Sequence, residues 1–286
     1  MKGKQQNTVN VKIILICFFF LFLFLFLVIM RSTFPYPHSL TSSLIPNSTI
    51  NQEPHCPNKC TKIPSSLSNA LVHYATSNTT PQQTLQEISV SLKVLQNKSP
   101  CNFLVFGLGH DSLMWTSLNH DGRTVFLEED ESWIRHVKEE IPSLESYHVV
   151  YDTKRHQADQ LHETGMQEHC KEVGDPRFSK CQLALKSLPS LIYETQWDLI
   201  MVDAPTGYHD GAPGRMSAIY TAGLMARNRV NGDTDVFVHD VDRGVEDRFS
   251  KSFLCQGYLV EQQGRIRHFN VPTHKSSLGT PFCPSA

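Results

Sequence analysis

The sequence predicts an α/β domain in which an open parallel sheet is covered by helices. From residue 101 onward, short apolar runs alternate with helix-like runs, which is the pattern of parallel strands joined by helical crossovers. The first run, residues 103–106, leads into Gly107-Leu-Gly109, where the missing Cβ atoms let the backbone approach a ligand. Roughly twenty residues further on, the second run ends in Glu128 and Glu129, which suits the hydroxyls of a nucleotide ribose. These observations indicate a nucleotide-type cofactor, and the alternative is an ordinary tight turn of an α/β domain.

The remaining elements follow in the order that such a sheet requires. Helical spacing of apolar residues over 85–95 predicts a helix that leads into the domain. The polar segment 153–188 predicts helices with an insertion, whose two cysteines suggest a cross-link. Residues 258–262 and 265–271 predict an antiparallel hairpin that turns at Gly264. Predicted strands cover residues 103–106, 123–127, 147–151, 197–203 and 234–240, with helices near 112–118, 132–141, 217–228 and 245–254.

Five parallel strands followed by a closing hairpin resemble the order of elements in class I S-adenosylmethionine-dependent methyltransferases. The resemblance implies a Rossmann-like fold with S-adenosyl-L-methionine as the cofactor. Dinucleotide-dependent dehydrogenases share the first half of this order, but they continue with a further parallel strand and helix where this chain has the hairpin. By this resemblance the expected cofactor contacts are Gly107, Leu108, Gly109, His110, Glu128, Glu129 and Asp203.

The amino-terminal residues predict a membrane anchor. The stretch 13–30 is an unbroken apolar run that rises about 27 Å as a helix, close to the hydrocarbon thickness of a bilayer. A cleaved signal peptide is the alternative, but the run is long and no small-residue cleavage site follows it. Lysines at positions 2, 4 and 12 precede the run, which places the amino terminus in the cytosol. The predicted organisation is a cytosolic tail 1–12, a transmembrane span 13–30, a luminal stem 31–84, a globular domain 85–276 and a tail 277–286.

The composition beyond the span agrees with an oxidising, luminal compartment. Three N-glycosylation sequons begin at Asn47, Asn78 and Asn97. Seven of the eight cysteines lie beyond the span, which predicts disulfides and at least one thiol that is free or paired between chains. Cys56 and Cys60 favour a stem disulfide over half of a zinc site, because no second pair with ligand spacing follows. The net charge of −2 argues against non-specific nucleic-acid binding, which usually leaves a basic footprint.

Acidic residues follow almost every predicted strand, at the edge of the sheet where ligands bind. Asp203 and Asp240 end two strongly apolar strands whose tips are predicted to lie close together. Two repelling carboxylates placed side by side usually have a cation between them, either a divalent metal or the sulfonium of the cofactor. The predicted metal ligands are Asp203, Asp240 and Asp242, with His239 as a less favoured fourth. The alternative, a helix cap, is preferred for Asp152 only.

Two loops carry further candidates for the chemistry. His110 lies in the predicted cofactor loop, where it is a candidate general base, and a role in shaping the loop is the alternative. The loop 205–217 is rich in glycine and proline, and no packing requirement explains its Tyr208, His209 and Arg215, which we expect to contact the acceptor. The planar guanidinium of Arg215 suits a carboxylate, and pairing with a helix start or a surface acid is the alternative.

Several motifs resemble a plant-specific family of polysaccharide methyltransferases. They are Leu104–Trp115, Leu127–Asp130, Trp197–Tyr208, Ala212–Tyr220 and Asp235–Asp240, and the resemblance extends from Cys101 to Pro272. Within that family the chain is most similar to glucuronoxylan 4-O-methyltransferases, and the segment Asp175–Lys186 favours them over the related arabinogalactan methyltransferases. The resemblance implies a single-pass type II protein of the Golgi membrane with a luminal catalytic domain. It also implies methyl transfer to O-4 of glucuronic acid side chains of glucuronoxylan, an acidic polysaccharide, with help from a divalent cation.

On this interpretation Asp203 and Asp240 are the catalytic residues, with His110 as the alternative base. A divalent cation held by the aspartates would bind O-4 and lower the cost of removing its proton. Arg215 would grip the sugar carboxylate with its planar fork.

Three other functions compete with this interpretation. Arabinogalactan methyltransferases share most of the same motifs, so glucuronic acid on arabinogalactan is an alternative acceptor. A non-catalytic anchored scaffold for xylan synthesis has no use for a cofactor cleft, so Gly107, Gly109 and Glu128 count against it. A glycosyltransferase would share the topology and the metal, and Asp240-Val-Asp242 has the form of a nucleotide-sugar site. The glycine loop fits that activity poorly.

Overall fold

The helices and strands follow the chain order that the apolar pattern predicts. The computed structural model describes residues 63–78, 80, 82–276 and 279–284. The strands are β1 (Asn102–Phe106), β2 (Arg123–Glu128), β3 (Glu145–His148), β4 (Leu199–Val202), β5 (Asp233–Val238), β6 (Leu259–Gln263) and β7 (Ile266–Pro272). The helices are α1 (Ser65–Thr76), α2 (Leu85–Lys98), α3 (Ser112–Leu118), α4 (Glu131–Glu140), α5 (Ala158–Gly165), α6 (Ser190–Glu194), α7 (Met216–Asn228) and α8 (Gly244–Phe249), and α8 continues as a π-helix over Ser250–Cys255. Short 3₁₀ turns lie at Arg155–Gln157, Glu168–Cys170, Pro176–Phe178 and Gln256–Tyr258.

A seven-stranded mixed sheet in the order β3-β2-β1-β4-β5-β7-β6 forms the centre of the domain. The first five strands are parallel, and β7 is antiparallel to both β5 and β6. The predicted α/β sheet with a closing hairpin is therefore confirmed, and Gly264 in the turn has a φ of 55°. Because parallel strands end at the same edge, the tips of β1, β2, β4 and β5 lie together where ligands bind in such sheets.

The strands are buried because apolar clusters cover both faces of the sheet. Leu104 and Phe106 of β1 belong to one cluster, whereas Phe103 and Val105 belong to the other, as the alternation of strand side chains requires. Complete burial of one such phenylalanine contributes about 1.5–3 kcal/mol. α7 is buried along almost its whole length, as expected for a helix that is apolar all round. The tip of β1 is therefore held in place from both faces.

The third strand lies earlier than predicted. β3 comprises Glu145–His148 instead of 147–151, because it pairs with β2 and the last paired residue of β2 is Glu128. The N–H of Val149 still donates to the carbonyl of Glu128 (2.9 Å), and the ladder ends there. The following residues, up to Tyr151, are left to line a cleft at the sheet edge.

The predicted boundary between stem and domain at residue 85 is wrong. Residues 65–76 form α1, whose apolar residues have helical spacing that the serine-rich and asparagine-rich composition obscured. The Tyr74 hydroxyl donates a hydrogen bond to the carbonyl of His110 (2.7 Å) and accepts one from the N–H of Met114 (3.1 Å). The end of the predicted stem is therefore part of the domain, and it supports the loop that follows β1.

Replacing Tyr74 with phenylalanine should lower the free energy of unfolding by about 1–3 kcal/mol, because a carbonyl and an N–H group lose their shared partner. Urea denaturation of the protein would measure this loss. Tyr258→Phe is the control, since the Tyr258 hydroxyl makes only a 3.5 Å contact with His274. An unchanged free energy for Tyr74→Phe would show that α1 does not contribute to the folded domain.

The predicted tail 277–286 is also part of the domain in the residues that the structure describes. Cys283 forms a disulfide with Cys255. Arg227 donates to the carbonyl of Phe282 (3.1 Å), and its guanidinium lies 4.0 Å from the centre of that ring. The tail is therefore attached to α7 and to the π-helix by a covalent bond and by a cation–π contact.

The remaining cysteines agree with the predicted disulfides. Cys170 and Cys181 form a disulfide, which confirms the cross-link in the polar segment 153–188. Cys101 is buried and free. Cys56 and Cys60 lie outside the described residues, so the stem disulfide stays a prediction.

No helix in the described part of the chain is long and apolar enough to cross a bilayer. The predicted span 13–30 lies outside that part, as does the sequon at Asn47. Asn78 and Asn97 are exposed, so both side chains are accessible to a glycosylating enzyme. The anchor and the glycosylation stay predictions.

Candidate active site

A cleft of about 1060 Å³ opens at the carboxyl edge of the sheet. This volume lies at the upper end of the range for ligand sites, so a nucleoside cofactor and a second ligand fit together. Two predicted site residues, His110 and Asp242, are not part of the described lining. The predicted residues that do line the cleft are Gly107, Leu108, Gly109, Glu128, Glu129, Asp203, Tyr208, His209, Arg215 and Asp240.

The loop after β1 requires glycine at its first position. Gly107 has a φ of 124°, and a Cβ added there would lie 3.3 Å from the Cβ of Ala204 in the loop after β4. The Gly107 N–H donates to the carbonyl of Leu127 (2.7 Å), which fixes the loop to β2. Any side chain at Gly107 would be both strained and crowded, so glycine lets the loop after β1 pack closely against the loop after β4.

Glu128 joins the tips of β1 and β2. One carboxylate oxygen accepts the N–H of Leu108 (3.0 Å), and the other accepts those of Glu129 (2.9 Å) and Asp130 (3.0 Å). Burial raises the pKa of Glu128, and the three backbone hydrogen bonds act in the opposite direction. A carboxylate offers about four lone-pair sites, so Glu128 keeps one acceptor position for a ribose hydroxyl.

Glu129 occupies a different position from its neighbour. Its carboxylate accepts hydrogen bonds from the N–H (2.8 Å) and the hydroxyl (2.7 Å) of Thr206 in the loop after β4. Glu129 therefore ties the tip of β2 to the loop 205–217, while Glu128 supports the glycine loop. This division makes Glu128 the better candidate for the ribose.

The structure does not support His110 as the base. Its ring is exposed and lies against Trp133, with 5.5 Å between the ring centres, outside the cleft lining. The next residue, Asp111, lines the cleft instead, and its carboxylate accepts the indole N–H of Trp115 (2.8 Å). Burial raises the pKa of Asp111, and the charge of Asp203 raises it further. Asp111 is thus a cleft acid that the sequence analysis missed.

Asp203, at the tip of β4, is held by three side chains. Its Oδ1 lies 2.9 Å from Nδ1 of His239 and 3.2 Å from Nη2 of Arg215, and its Oδ2 accepts the amide of Gln83 (3.1 Å). Burial raises the pKa of Asp203, but the His239 hydrogen bond and the charge of Arg215 prevail and hold it below its usual value. Asp203 is therefore an ionised carboxylate in the cleft wall.

Asp240, at the tip of β5, pairs with three arginines. Its Oδ2 lies 2.8 Å from Nη2 of Arg215 and 2.8 Å from Nη2 of Arg243. Its Oδ1 lies 2.9 Å from Nη1 of Arg265, which also pairs with Glu87 (3.4 Å). Both carboxylate oxygens of Asp240 are therefore engaged by guanidinium groups.

Arg215 has a different role from the predicted grip on a sugar carboxylate. Its side chain is only 5% exposed, and its Nη2 contacts both Asp203 and Asp240. Nε donates to the carbonyl of Pro205 (3.2 Å), and Nη1 donates to that of His239 (2.9 Å). The cation expected between the two aspartates is therefore the arginine itself, and its fork is occupied by protein atoms.

A candidate metal centre still exists at Asp203, His239 and Asp240. One ligand atom of each lies within 4.8 Å of the others. Asp242, a predicted ligand, is exposed and outside this group, and His239 takes its place. Two carboxylates and an imidazole suit a first-row divalent ion, and each carboxylate keeps a lone-pair site beside its present partners. The donor set fits such a cation, which would compete with Arg215 for the same oxygens.

Tyr208 and His209 form the exposed part of the cleft wall. Tyr208 is 72% exposed, and its ring meets that of His209 edge-on at 4.9 Å. The 3₁₀ turn at Arg155–Gln157 braces their loop, because the Arg155 N–H donates to the carbonyl of Ala212 (2.8 Å) and its guanidinium pairs with Asp210. The exposed tyrosine offers a flat apolar face with a polar tip to a ligand.

Six residues at or beside the cleft were not predicted. Asp111 and Arg243 had a detectable signal, since each lies five residues after the last residue of a strand, β1 or β5. The others had none, because they reach the cleft from distant parts of the chain. The missed residues at or beside the cleft are Gln82, Gln83, Glu87, Asp111, Arg243 and Arg265.

The fold and the cleft define a Rossmann-like α/β protein with a glycine loop and a cluster of charged residues at the carboxyl edge of its sheet. The chain belongs to the IRX15/IRX15L/GXM family, whose model matches residues 86–269. It is 69% identical to glucuronoxylan 4-O-methyltransferase 2 of Arabidopsis thaliana over 233 residues, which cover 81% of this chain and 80% of that protein. Arabinogalactan O-methyltransferase 2 of the same plant is 52% identical over 222 residues, with 75% and 76% covered. Protein IRREGULAR XYLEM 15, also from A. thaliana, is 40% identical over 228 residues, with 77% and 70% covered.

Proposed function

We propose that this protein transfers the methyl group of S-adenosylmethionine to O-4 of glucuronic acid side chains on glucuronoxylan. The observation that carries the proposal is the single cleft, which joins the glycine loop and Glu128 to an ionised Asp203 and a cluster of arginines. The similarities support the acceptor, because identity falls from 69% for the glucuronoxylan enzyme to 52% for the arabinogalactan enzyme.

The cofactor half of the cleft is suited to S-adenosylmethionine. Gly107, Leu108, Gly109 and Glu128 would hold it, and when bound it supplies an electrophilic methyl group. Two features of the chain fit this ligand: a glycine loop that packs closely against the loop after β4 at the cleft, and the free acceptor position on Glu128.

Asp203 is the group that we assign to the acceptor hydroxyl. A sugar hydroxyl is barely ionised at neutral pH, so its proton must be accepted as its oxygen bonds to the methyl carbon. The bond between that carbon and the cofactor sulfur would break in the same step, with its electron pair left on the sulfur. The lowered pKa keeps Asp203 unprotonated until that moment, and the hydroxyl becomes acidic enough to release its proton as the bond forms. Arg215 and His239 fix the carboxylate, so no reorganisation is required when the acceptor arrives.

A divalent cation remains part of the proposal, with His239 in place of Asp242 as the third ligand beside Asp203 and Asp240. When bound, such a cation lowers the pKa of a coordinated hydroxyl. Because Arg215 already contacts both carboxylates, we expect weak binding that saturates only with excess ion. Calorimetric titration of Mn²⁺ into the wild type and the Asp240→Asn variant tests this point without reference to activity.

The Golgi location and the membrane anchor are also proposed. The two disulfides in the described residues are of the kind that forms in oxidising compartments. The exposed sequons at Asn78 and Asn97 support the same topology. Protease protection and glycosidase sensitivity in intact Golgi vesicles test it.

The decisive experiment is a titration with S-adenosylmethionine followed by methyl transfer to two polysaccharides. We expect binding of the cofactor and O-4 methylation of glucuronoxylan oligosaccharides in preference to arabinogalactan. Preferential transfer to arabinogalactan would identify arabinogalactan as the acceptor. Cofactor binding without any transfer would favour a non-catalytic scaffold. Binding of a nucleotide sugar in place of S-adenosylmethionine would favour a glycosyltransferase.

A further inference from the structure

We infer that Arg243 binds the carboxylate of the acceptor sugar and thereby selects an acidic over a neutral acceptor. The inference rests on the proposed function and concerns the specificity of the same cleft. It gives to Arg243 the task for which Arg215 is unavailable, since the nitrogens of Arg215 are occupied by protein oxygens.

The described lining of the cleft contains three arginines and no lysine, and in two of the arginines every nitrogen already faces a protein oxygen. Arg215 is buried among its partners. Arg265 uses Nη1 for Asp240 and Nη2 for the carbonyl of Gln82 (2.7 Å), and its Nε lies 3.4 Å from Glu87. A further anion at either guanidinium would therefore have to share nitrogens with these oxygens.

Arg243 has such an edge. Its side chain is 36% exposed, and its Nη2 contacts Oδ2 of Asp240 at 2.8 Å. Nε and Nη1 have no hydrogen-bond partner among the residues that the structure describes, and Nη2 has a second N–H group beside the one that faces Asp240, so one edge of the fork is free. A Cβ added at Gly207 would lie 3.1 Å from Oε1 of Glu246 and 3.7 Å from Nη1 of Arg243, so the absence of a side chain there leaves this part of the cleft wall open.

The geometry of a hexuronic acid matches this arrangement. Its carboxylate is carried by C-5, the ring carbon next to the one that bears O-4. A guanidinium fork matches a carboxylate in shape and charge, so the sugar carboxylate fits the free edge of Arg243. The neighbouring O-4 then faces Asp240, which pairs with the same guanidinium of Arg243. It also faces Asp203, which is linked to Asp240 because Arg215 contacts both carboxylates. One residue therefore both recognises the acid and places the hydroxyl.

The test compares two acceptors and three forms of the enzyme. The acceptors are a glucuronoxylan oligosaccharide and its carboxyl-reduced counterpart, in which glucose replaces glucuronic acid. We expect Arg243→Gln to reduce kcat/KM on the acidic acceptor by about 10- to 100-fold, mainly through KM, because a charge-assisted hydrogen bond is lost. The same variant should reduce kcat/KM on the reduced acceptor much less, because that acceptor has no carboxylate for Arg243 to bind and only the ion pair with Asp240 is lost. Arg243→Lys should lie between the two, since it keeps the charge but loses the fork.

Arg248→Gln is the matched control. Arg248 lies on α8, which begins directly after Arg243, is 38% exposed and also pairs with one aspartate, Asp159, but it is not part of the cleft lining. Its replacement should leave kcat/KM unchanged on both acceptors. Equal losses on both acceptors for Arg243→Gln would show a structural role, and wild-type kcat/KM on the acidic acceptor would show no role. Either outcome overturns the inference.

Failure of the proposed function gives a different result. If the wild type methylates neither acceptor, the acidic oligosaccharide is titrated into the wild type and Arg243→Gln in the presence of S-adenosylhomocysteine. An affinity about 10-fold weaker in the variant supports carboxylate recognition by Arg243. Equal affinities, or binding to neither protein, overturn it.

Discussion

Replacing Asp203 with asparagine should reduce methyl transfer by about 10²- to 10⁴-fold, which is the usual contribution of a positioned general base. The amide has nearly the same shape as the carboxylate, but it cannot accept the acceptor proton and it leaves Arg215 with one anionic partner fewer. The affinity for S-adenosylmethionine should change little, because the cofactor contacts lie on β1 and β2. Single-turnover methyl transfer and calorimetric titration measure the two quantities separately.

The control for this variant is Asp233→Asn. Asp233 is 46% exposed, pairs loosely with Lys98 (3.8 Å) at the opposite end of β5 and accepts the side-chain amide of Asn270. Asparagine keeps an oxygen that can accept this hydrogen bond, so the protein should tolerate the change. Thermal unfolding of both variants shows whether the fold persists. Transfer by Asp203→Asn at the wild-type rate, or a loss of cofactor binding as large as the loss of activity, would remove Asp203 from the role of base.

The sheet and the tips of its strands were predictable because the central strands are apolar on both faces. β1 and β4 are fully enclosed, so each has a continuous apolar run in the sequence, followed at once by a glycine loop or an acid. Asp203 and Asp240 were expected to be close for the same reason, and β4 and β5 are indeed paired. A strand that is buried on both faces needs a continuous run of apolar residues, and such a run is visible in the sequence.

The arginine cluster was not predictable, because its members come from distant positions. Arg265 reaches Asp240 from the turn of the hairpin, between β6 and β7, and donates to the carbonyl of Gln82, 183 positions away. Composition and spacing describe neighbours along the chain and contain no sign of such a pairing. The sequence identifies Arg215 as a cation in a polar loop, but only the fold shows that its partners are the two aspartates.

The exchange of Asp242 for His239 has a local cause. Residues two apart in an extended strand face the same side, which favoured Asp240 and Asp242 together. β5 ends at Val238, and Asp240 has a φ of 59°, so the alternation no longer holds beyond the strand. His239 contacts Asp203 instead, and Asp242 is exposed.

Glu128→Ala should weaken S-adenosylmethionine binding by about 100-fold or more, whereas Glu129→Ala should leave it within a few fold of the wild type. The first change removes the acceptor of three backbone N–H groups and, with it, the group assigned to the ribose. The second removes only the contacts with Thr206, so it should raise KM for the acceptor instead.

Calorimetric titration of the cofactor into both variants, with thermal unfolding as a check on the fold, distinguishes the two neighbouring glutamates. Glu128→Gln refines the result, because the amide keeps the size of the side chain but only one of its two terminal atoms accepts hydrogen bonds. It should lose part of the affinity that alanine loses. Equal affinities for Glu128→Ala and the wild type would remove the tip of β2 from the cofactor site. The Glu128 carboxylate would then serve only to accept its three backbone N–H groups.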